Sequence, residues 1–199
     1  AASAAAATAA TGVATSTAAL ADVVSGLGSD NTLRMKLSAF VLAGRLERVV
    51  ELANERLQRM GDGRFHLAHS DRLASGGRRS GLGLVVQDEW TGQVRDTATL
   101  SGGESFMASL ALALGLADAV REESGGIDLH TLFIDEGFGS LDGESLEQVM
   151  EVLDQLQDGG RAVGVVSHVP ALRDRIPAQV QVDKTRRGST VRRVTGPAA

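Results

Sequence analysis

The chain has 199 residues, a formal net charge of -5 and a hydrophobic fraction of 43%. That is one domain's length, or one domain with an appendage, and it holds enough apolar material for a core. The mixing of acidic and basic residues excludes the strongly basic surface of a simple nucleic-acid coat, and the absence of cysteine excludes disulfides and zinc–thiolate sites, which suits a reducing cytosol.

Residues 1–30 open with an alanine-rich leader, read either as the end of a long coiled-coil helix or as disordered. Its uncharged part lacks a starting Met, a basic leader and a leucine-type core, so it is not read as a signal peptide. Asn31 and Thr32 are candidate helix caps. Beyond them Leu42, Leu46, Val49, Ala53, Leu57 and Met60 recur at steps of three and four, which predicts a lead-in helix within 31–62. Gly61-Asp62-Gly63 ends it. A β-rich segment follows near residues 63–98, broken at Gly76-Gly77 and turning at Trp90-Thr91-Gly92.

From Leu100 the pattern alternates. A helix is expected over Ser101–Glu122, a buried strand over Leu129–Ile134, a helix over Glu144–Gln157 and a second buried strand over Ala162–Val166. A hairpin is expected around Arg187-Gly188-Ser189. Strand, helix, strand implies a parallel sheet with right-handed crossovers, so residues 63–199 read as an α/β lobe. The apolar run Ser105–Ala117 is too short to cross a bilayer and is closed by Glu104 and Asp118, so no membrane partner is expected.

Four motifs carry chemistry. Ser101 with Glu104 is a capping box. Gly102 and Gly103 between them weaken a first helical turn, yet they suit the close approach of another molecule to free N–H groups and a positive dipole end, where phosphate binds. The strand to Ile134 runs into Asp135 and Glu136, at the carboxyl end of a parallel strand, where ligands of open α/β sheets sit. Successive strand residues face opposite ways, so Asp135 is suited to a metal, through water, and Glu136 to activating a water. Ser140-Leu141-Asp142 forms a turn in which Asp142 caps the next helix. His168 follows the strand that should lie beside the Asp135 strand, within reach of a phosphate.

In this order and spacing the four motifs resemble the second half of an ABC-type ATPase head. The run from Asp135 to Asp142, the apolar helix Phe106–Leu112 and the segment Arg95–Thr99 are similar to the SbcC branch of the SMC-like ATPases. The resemblance implies the C-terminal lobe of a P-loop ATPase head, with a largely parallel sheet, flanking helices and a small β-rich segment. It implies that Ser101, Gly102, Gly103 and Glu104 form the signature that binds nucleotide in trans. It makes Asp135 the Mg²⁺ residue and Glu136 the catalytic base at the end of the Walker B strand, Ser140, Leu141 and Asp142 the D-loop, and His168 the switch histidine. The implied cofactors are ATP and Mg²⁺. The implied partners are a Walker A lobe of the same protein, a second head in a homodimer, an SbcD-like nuclease and double-stranded DNA ends, in the cytoplasm and associated with the nucleoid.

A phosphate-binding loop requires Gly-x-x-x-x-Gly-Lys-Ser/Thr. The only lysines are Lys36 and Lys184, in neither such setting. The phosphate cradle is therefore expected elsewhere, and this chain alone is expected to be inactive. Two other readings stay open: the head of another SMC-like chromosome or recombination ATPase, or an inactive dimerisation module. A transporter ATPase is disfavoured by the apolar helix after the signature. His66 and His69 read as structural, and Gly81-Leu82-Gly83 is too short for a dinucleotide fingerprint. Lys184, Arg186, Arg187, Arg192 and Arg193 read as a solvated hairpin tip, or as a contact to DNA phosphates.

Overall fold

The computed structural model describes residues 2–70, 82–125, 129–186 and 188–195, and the side chains from residue 14 onward. Gly76-Gly77, Gly81 and Arg187 lie outside the described residues. The chain divides into two compact units, Ala1–Asp128 and Leu129–Ala199.

The first unit begins with helix α1, Ala2–Ser25, so the alanine-rich leader is helical. Alanine's low entropic cost in a helix favours this. The helix closes in a Schellman motif: Leu27 N donates to Asp22 O and Gly26 N to Val23 O. Gly26 has φ +77, and a Cβ there would stand 3.1 Å from the Met35 carbonyl carbon, so the turn requires glycine twice over.

Helix α2 spans Leu37–Met60 and its N-cap is Lys36, without a side-chain cap. Asn31 and Thr32 are therefore not its caps. Asn31 instead staples the turn between the helices: its Nδ2 donates to Val23 O at 2.8 Å and to Met35 O at 2.7 Å. An Asn side chain can satisfy two carbonyls of a tight turn as readily as one helix end, and sequence spacing does not tell these uses apart. The expected stop is present, with Gly61 as C-cap and Asp62 and Gly63 at positive φ.

Strands β1 (Phe65–Ser70), β2 (Gly83–Asp88) and β3 (Gln93–Asp96) form an antiparallel sheet in that order. The turn at Trp90-Thr91-Gly92 is held by Asp88, whose Oδ1 accepts from Trp90 N and Thr91 N. Asn54 of α2 finishes the free edge of β1, donating to Leu67 O and accepting from Leu67 N, both at 2.8 Å. Helix α3, Gly102–Glu123, packs on α2. Ala53, Leu57, Met60, Leu67, Val86, Ala111 and Leu114 are almost wholly buried and form this unit's core. Although α3 has the length and apolarity of a membrane span, its buried stripe lies on a neighbouring helix. Asp118 of α3 pairs with Arg56 of α2, and Glu122 forms a two-pronged pair with Arg48.

The second unit contains the parallel pair β4 (Thr131–Asp135) and β5 (Ala162–Val166), joined through helix α4, Gly143–Asp158. Leu146, Val149, Met150, Leu153 and Leu156 form the buried stripe of α4, which packs on β5. A short helix α5, Pro170–Arg175, is tied to α4 by Arg175, which pairs with Glu147 and with Asp154. Strands β6 (Ala178–Thr185) and β7 (Gly188–Thr195) form the expected hairpin.

The parallel pair consists of the two strands expected from the sequence, but β4 is not buried on both faces. Ile134 is buried, while Phe133 on the opposite face is 75% exposed. Within the second unit helix α4 covers one face, and Thr131, Phe133 and Asp135 on the other are exposed.

Candidate active site

In the second unit, parallel pairing sets Asp135 opposite Val166. The chain then leaves β4 through Glu136 at φ +60 and Gly137 at φ +99. A non-glycine residue in the left-handed region costs of order 1–3 kcal/mol and persists only when its surroundings hold it there. Here Glu136 N donates to Val166 O at 2.9 Å. This bend swings the Glu136 carboxylate toward the end of β5, where its Oε2 lies 3.0 Å from His168 Nδ1. The two sequence-predicted residues, 32 apart in the chain, are thus direct hydrogen-bond partners.

Asp135 is exposed at the strand end, and its carboxylate makes no hydrogen bond or ion pair among the described residues. Such an uncommitted hard oxygen donor fits a magnesium ion, which takes one or two carboxylates and keeps most of its waters.

The Gly137–Ser140 turn contains a short 3₁₀ segment, Phe138–Ser140, in which Phe138 is buried. Ser140 Oγ donates to Gly137 O at 2.7 Å. A Cβ on Gly139 would lie 3.7 Å from His168 Cε1 and Nε2, so this turn runs directly beside the imidazole. Asp142 caps α4, accepting from Ser145 N at 2.8 Å. That bond to the Ser145 backbone holds its carboxyl below the ordinary range, aided by the Ser145 hydroxyl.

In the first unit, Ser101 is the N-cap of α3. Its Oγ accepts from Glu104 N at 3.3 Å, and Ser101 N donates to Glu104 Oε2 at 2.9 Å, a closed capping box. Gly102 and Gly103 fill the first turn. Sequence reading missed what stands beside this turn. Arg64 and Arg95 each approach Glu104, and both also approach Asp88. Arg64 lies over the rings of Phe65 and Trp90, 4.6 and 4.9 Å from their centroids. The Arg64 guanidinium, helped by the backbone N–H groups of Thr91 and Trp90, holds the Asp88 carboxyl below its usual range against the opposing effect of burial. Arg95 lies in the segment Arg95–Thr99 that carries the family resemblance, but no local pattern places it or Arg64 beside Glu104.

Of the lesser signals, His66 contacts Asn54 Nδ2 at 3.2 Å and His69 Nδ1 lies 3.3 Å from Glu47 Oε1, so each has its own structural partner. In the hairpin, Arg192 reaches Gln181 and Asp183.

A parallel strand running into Asp-Glu, a histidine just past the end of the adjacent strand and a glycine-led helix define the C-terminal lobe of an ABC-type ATPase head. Solved structures agree on the fold. At 14% identity and TM-score 0.59, the chain superposes on a protein from the structural biochemistry of ATP-driven dimerization and DNA stimulated activation of SMC ATPases, over 79% of this chain and 89% of that one. It also superposes on the Pyrococcus furiosus Smc head domain with an extended coiled coil, bound to the C-terminal domain of ScpA, at 14% identity and TM-score 0.55, over 79% of this chain and 37% of that one.

The SbcC-type reading of the sequence stands. Residues 77–155 match the family model described as SbcC/RAD50-like, Walker B motif, a range that includes Ser101–Glu104, Asp135, Glu136 and Ser140–Asp142 but not His168. The chain is 47% identical over 172 residues to the SbcC component of the SbcCD nuclease of Treponema pallidum, covering 86% of this chain and 16% of that protein. Against the SbcC component of the Vibrio cholerae SbcCD nuclease it is 49% identical over 176 residues, covering 88% and 17%. The chain therefore spans about a sixth of the length of these relatives.

Proposed function

We propose that this chain is the C-terminal head lobe of an SbcC-like ATPase that hydrolyses ATP and couples this to processing of double-stranded DNA ends by an SbcD-like nuclease in the cytoplasm. The observation that carries the reading is the Glu136–His168 contact of 3.0 Å at the mouth of the parallel strands. A carboxylate there can accept a proton from water, and the adjacent imidazole can orient it and face the phosphate from which the water displaces ADP. Asp135 would hold Mg²⁺ through water. When bound, the ion would supply charge neutralisation to the phosphates.

The chain's own groups have distinct tasks. Glu136, fixed by the left-handed bend and the bond to Val166 O, positions and deprotonates the attacking water. His168 holds the Glu136 carboxylate and presents its other ring nitrogen toward the γ-phosphate. Ser140, Leu141 and Asp142 keep the turn beside His168 in one conformation. Ser101, Gly102 and Gly103, with Glu104 closing the capping box behind them, form a signature that engages nucleotide held by a second head, so ATP joins two heads and hydrolysis separates them. The Walker A lobe is supplied by another part of the same protein. Residues 1–30, 31–62 and 63–199 then act as coiled-coil end, lead-in helix and ATPase lobe.

The test is Glu136→Gln in the complete protein. ATP binding should be retained and turnover should fall by about 10²–10⁴, the usual contribution of a general base. Unchanged steady-state turnover would remove Glu136 from that role.

A further inference from the structure

Two arginines of the β-rich segment stand against the signature turn in a closed ring of charge. Arg64 Nη2 lies 2.9 Å from Asp88 Oδ2, and Arg64 Nη1 lies 3.6 Å from Glu104 Oε1. Arg95 Nη2 lies 3.6 Å from Asp88 Oδ2 and 3.6 Å from Glu104 Oε2. Asp88 is only 4% exposed, and it is committed elsewhere through Trp90 N and Thr91 N. Arg95 Nη1 reaches Thr99 O, in the segment that leads into Ser101. The Nε and Nη2 atoms of Arg95 are buried and have no hydrogen-bond partner among the described residues. At 3.6 Å these contacts exceed hydrogen-bond length, so Arg95 meets both carboxylates by charge alone.

Glu104 presents a physical conflict. Its carboxylate closes the capping box and suits the positive end of α3. If the same turn is to receive a triphosphate, as proposed above, a fixed negative charge beside it repels the ligand. We infer that Arg64 and Arg95 are positioning residues of the signature. They neutralise and orient Glu104, so that the capping box can persist while the first turn of α3 accepts a nucleotide phosphate. This inference rests on the trans-binding role of Ser101–Gly103 and adds to it a charge requirement met from the neighbouring β-sheet.

The experiment uses the complete protein and a non-hydrolysable ATP analogue, and reads the protein concentration at which heads pair, by sedimentation at low ionic strength. Arg95→Gln should raise that concentration about tenfold, since an uncompensated like charge at an interface is costly. Arg95→Lys should stay close to wild type, because charge rather than a planar fork is required. Glu104→Gln, which preserves the capping box, should pair at or below the wild-type concentration, and the double variant Arg95→Gln/Glu104→Gln should return close to wild type. A purely structural role for Arg95 predicts no rescue by Glu104→Gln, and that result overturns the inference, as does wild-type pairing by Arg95→Gln. If Arg95→Gln does not fold, weakened pairing by Glu104→Gln alone overturns it, and pairing at or below the wild-type concentration supports it. Ser101→Arg separates the two levels. Normal pairing by that variant removes the trans role itself, whereas blocked pairing together with an indifferent Arg95→Gln removes only the charge requirement.

Discussion

At the scale of single residues, the site depends on two carboxylates placed by opposite means. Glu136 is held in an unfavourable backbone region by its strand neighbour, and Asp142 is held in a favourable one by the helix it caps. The Asp142 carboxyl is held below its ordinary range, chiefly by the Ser145 backbone N–H. Such a group takes up its proton at lower pH when folded than when unfolded. Its contribution is therefore complete above about pH 4, the usual carboxyl range, and fades as pH falls through the folded value. Asp142→Ala should lower the melting temperature at pH 7, and the gap from wild type should narrow by pH 3. Asp142→Asn, which keeps an acceptor, should recover much of the loss at neutral pH. A gap that is the same at both pH values would show that the charge of the cap is not involved.

At the scale of elements, the approach of α2 and α3 is set by a glycine. A Cβ at Gly115 would stand 2.6 Å from Val49 O and 2.8 Å from Ala53 N, both main-chain atoms. Gly115→Ala sets two effects against each other: alanine favours the helix by up to about 1 kcal/mol, and overpacking against rigid backbone costs roughly 1–3 kcal/mol. The second should win, with a net destabilisation of about 1–2 kcal/mol in urea unfolding of the first unit. A midpoint equal to or above that of wild type would mean that the helices can separate without cost. The helices themselves were legible, because apolar steps of three and four and the Gly61–Gly63 stop follow from backbone geometry alone. The start of α2 was not: Asn31 can cap a helix or staple a turn with the same atoms, and only the position of Val23 and Met35 decides which.

At the scale of the whole molecule, two observations point the same way. The sequence has no Walker A lysine, and the parallel sheet leaves Phe133 exposed although parallel strands are ordinarily covered on both faces. Phe133 sits over Gly164, its register partner, where a Cβ would lie 2.5 Å from the ring. The 199-residue chain alone should show no ATP turnover above background, and a supplied Walker A lobe should restore it. Phe133→Asp should prevent that restoration while leaving the circular dichroism of the chain unchanged. Turnover by the isolated chain would show that a separate Walker A lobe is not needed.

The sequence by itself determined the alternation of helices and strands from Leu100 to Val166 and the hairpin near the end, though not the short helix α5, together with the capping box at Ser101 and the carboxylates at the end of β4. Each of these depends on local spacing, caps and hydrophobic period, which act within a few residues. Tertiary structure alone decided that Glu136 and His168 touch, that Arg64 and Arg95 converge on Glu104, and that Phe133 of β4 is exposed. These are contacts between residues far apart in the chain, fixed by strand register, by a left-handed bend and by which surfaces find a covering layer, and no local pattern encodes them.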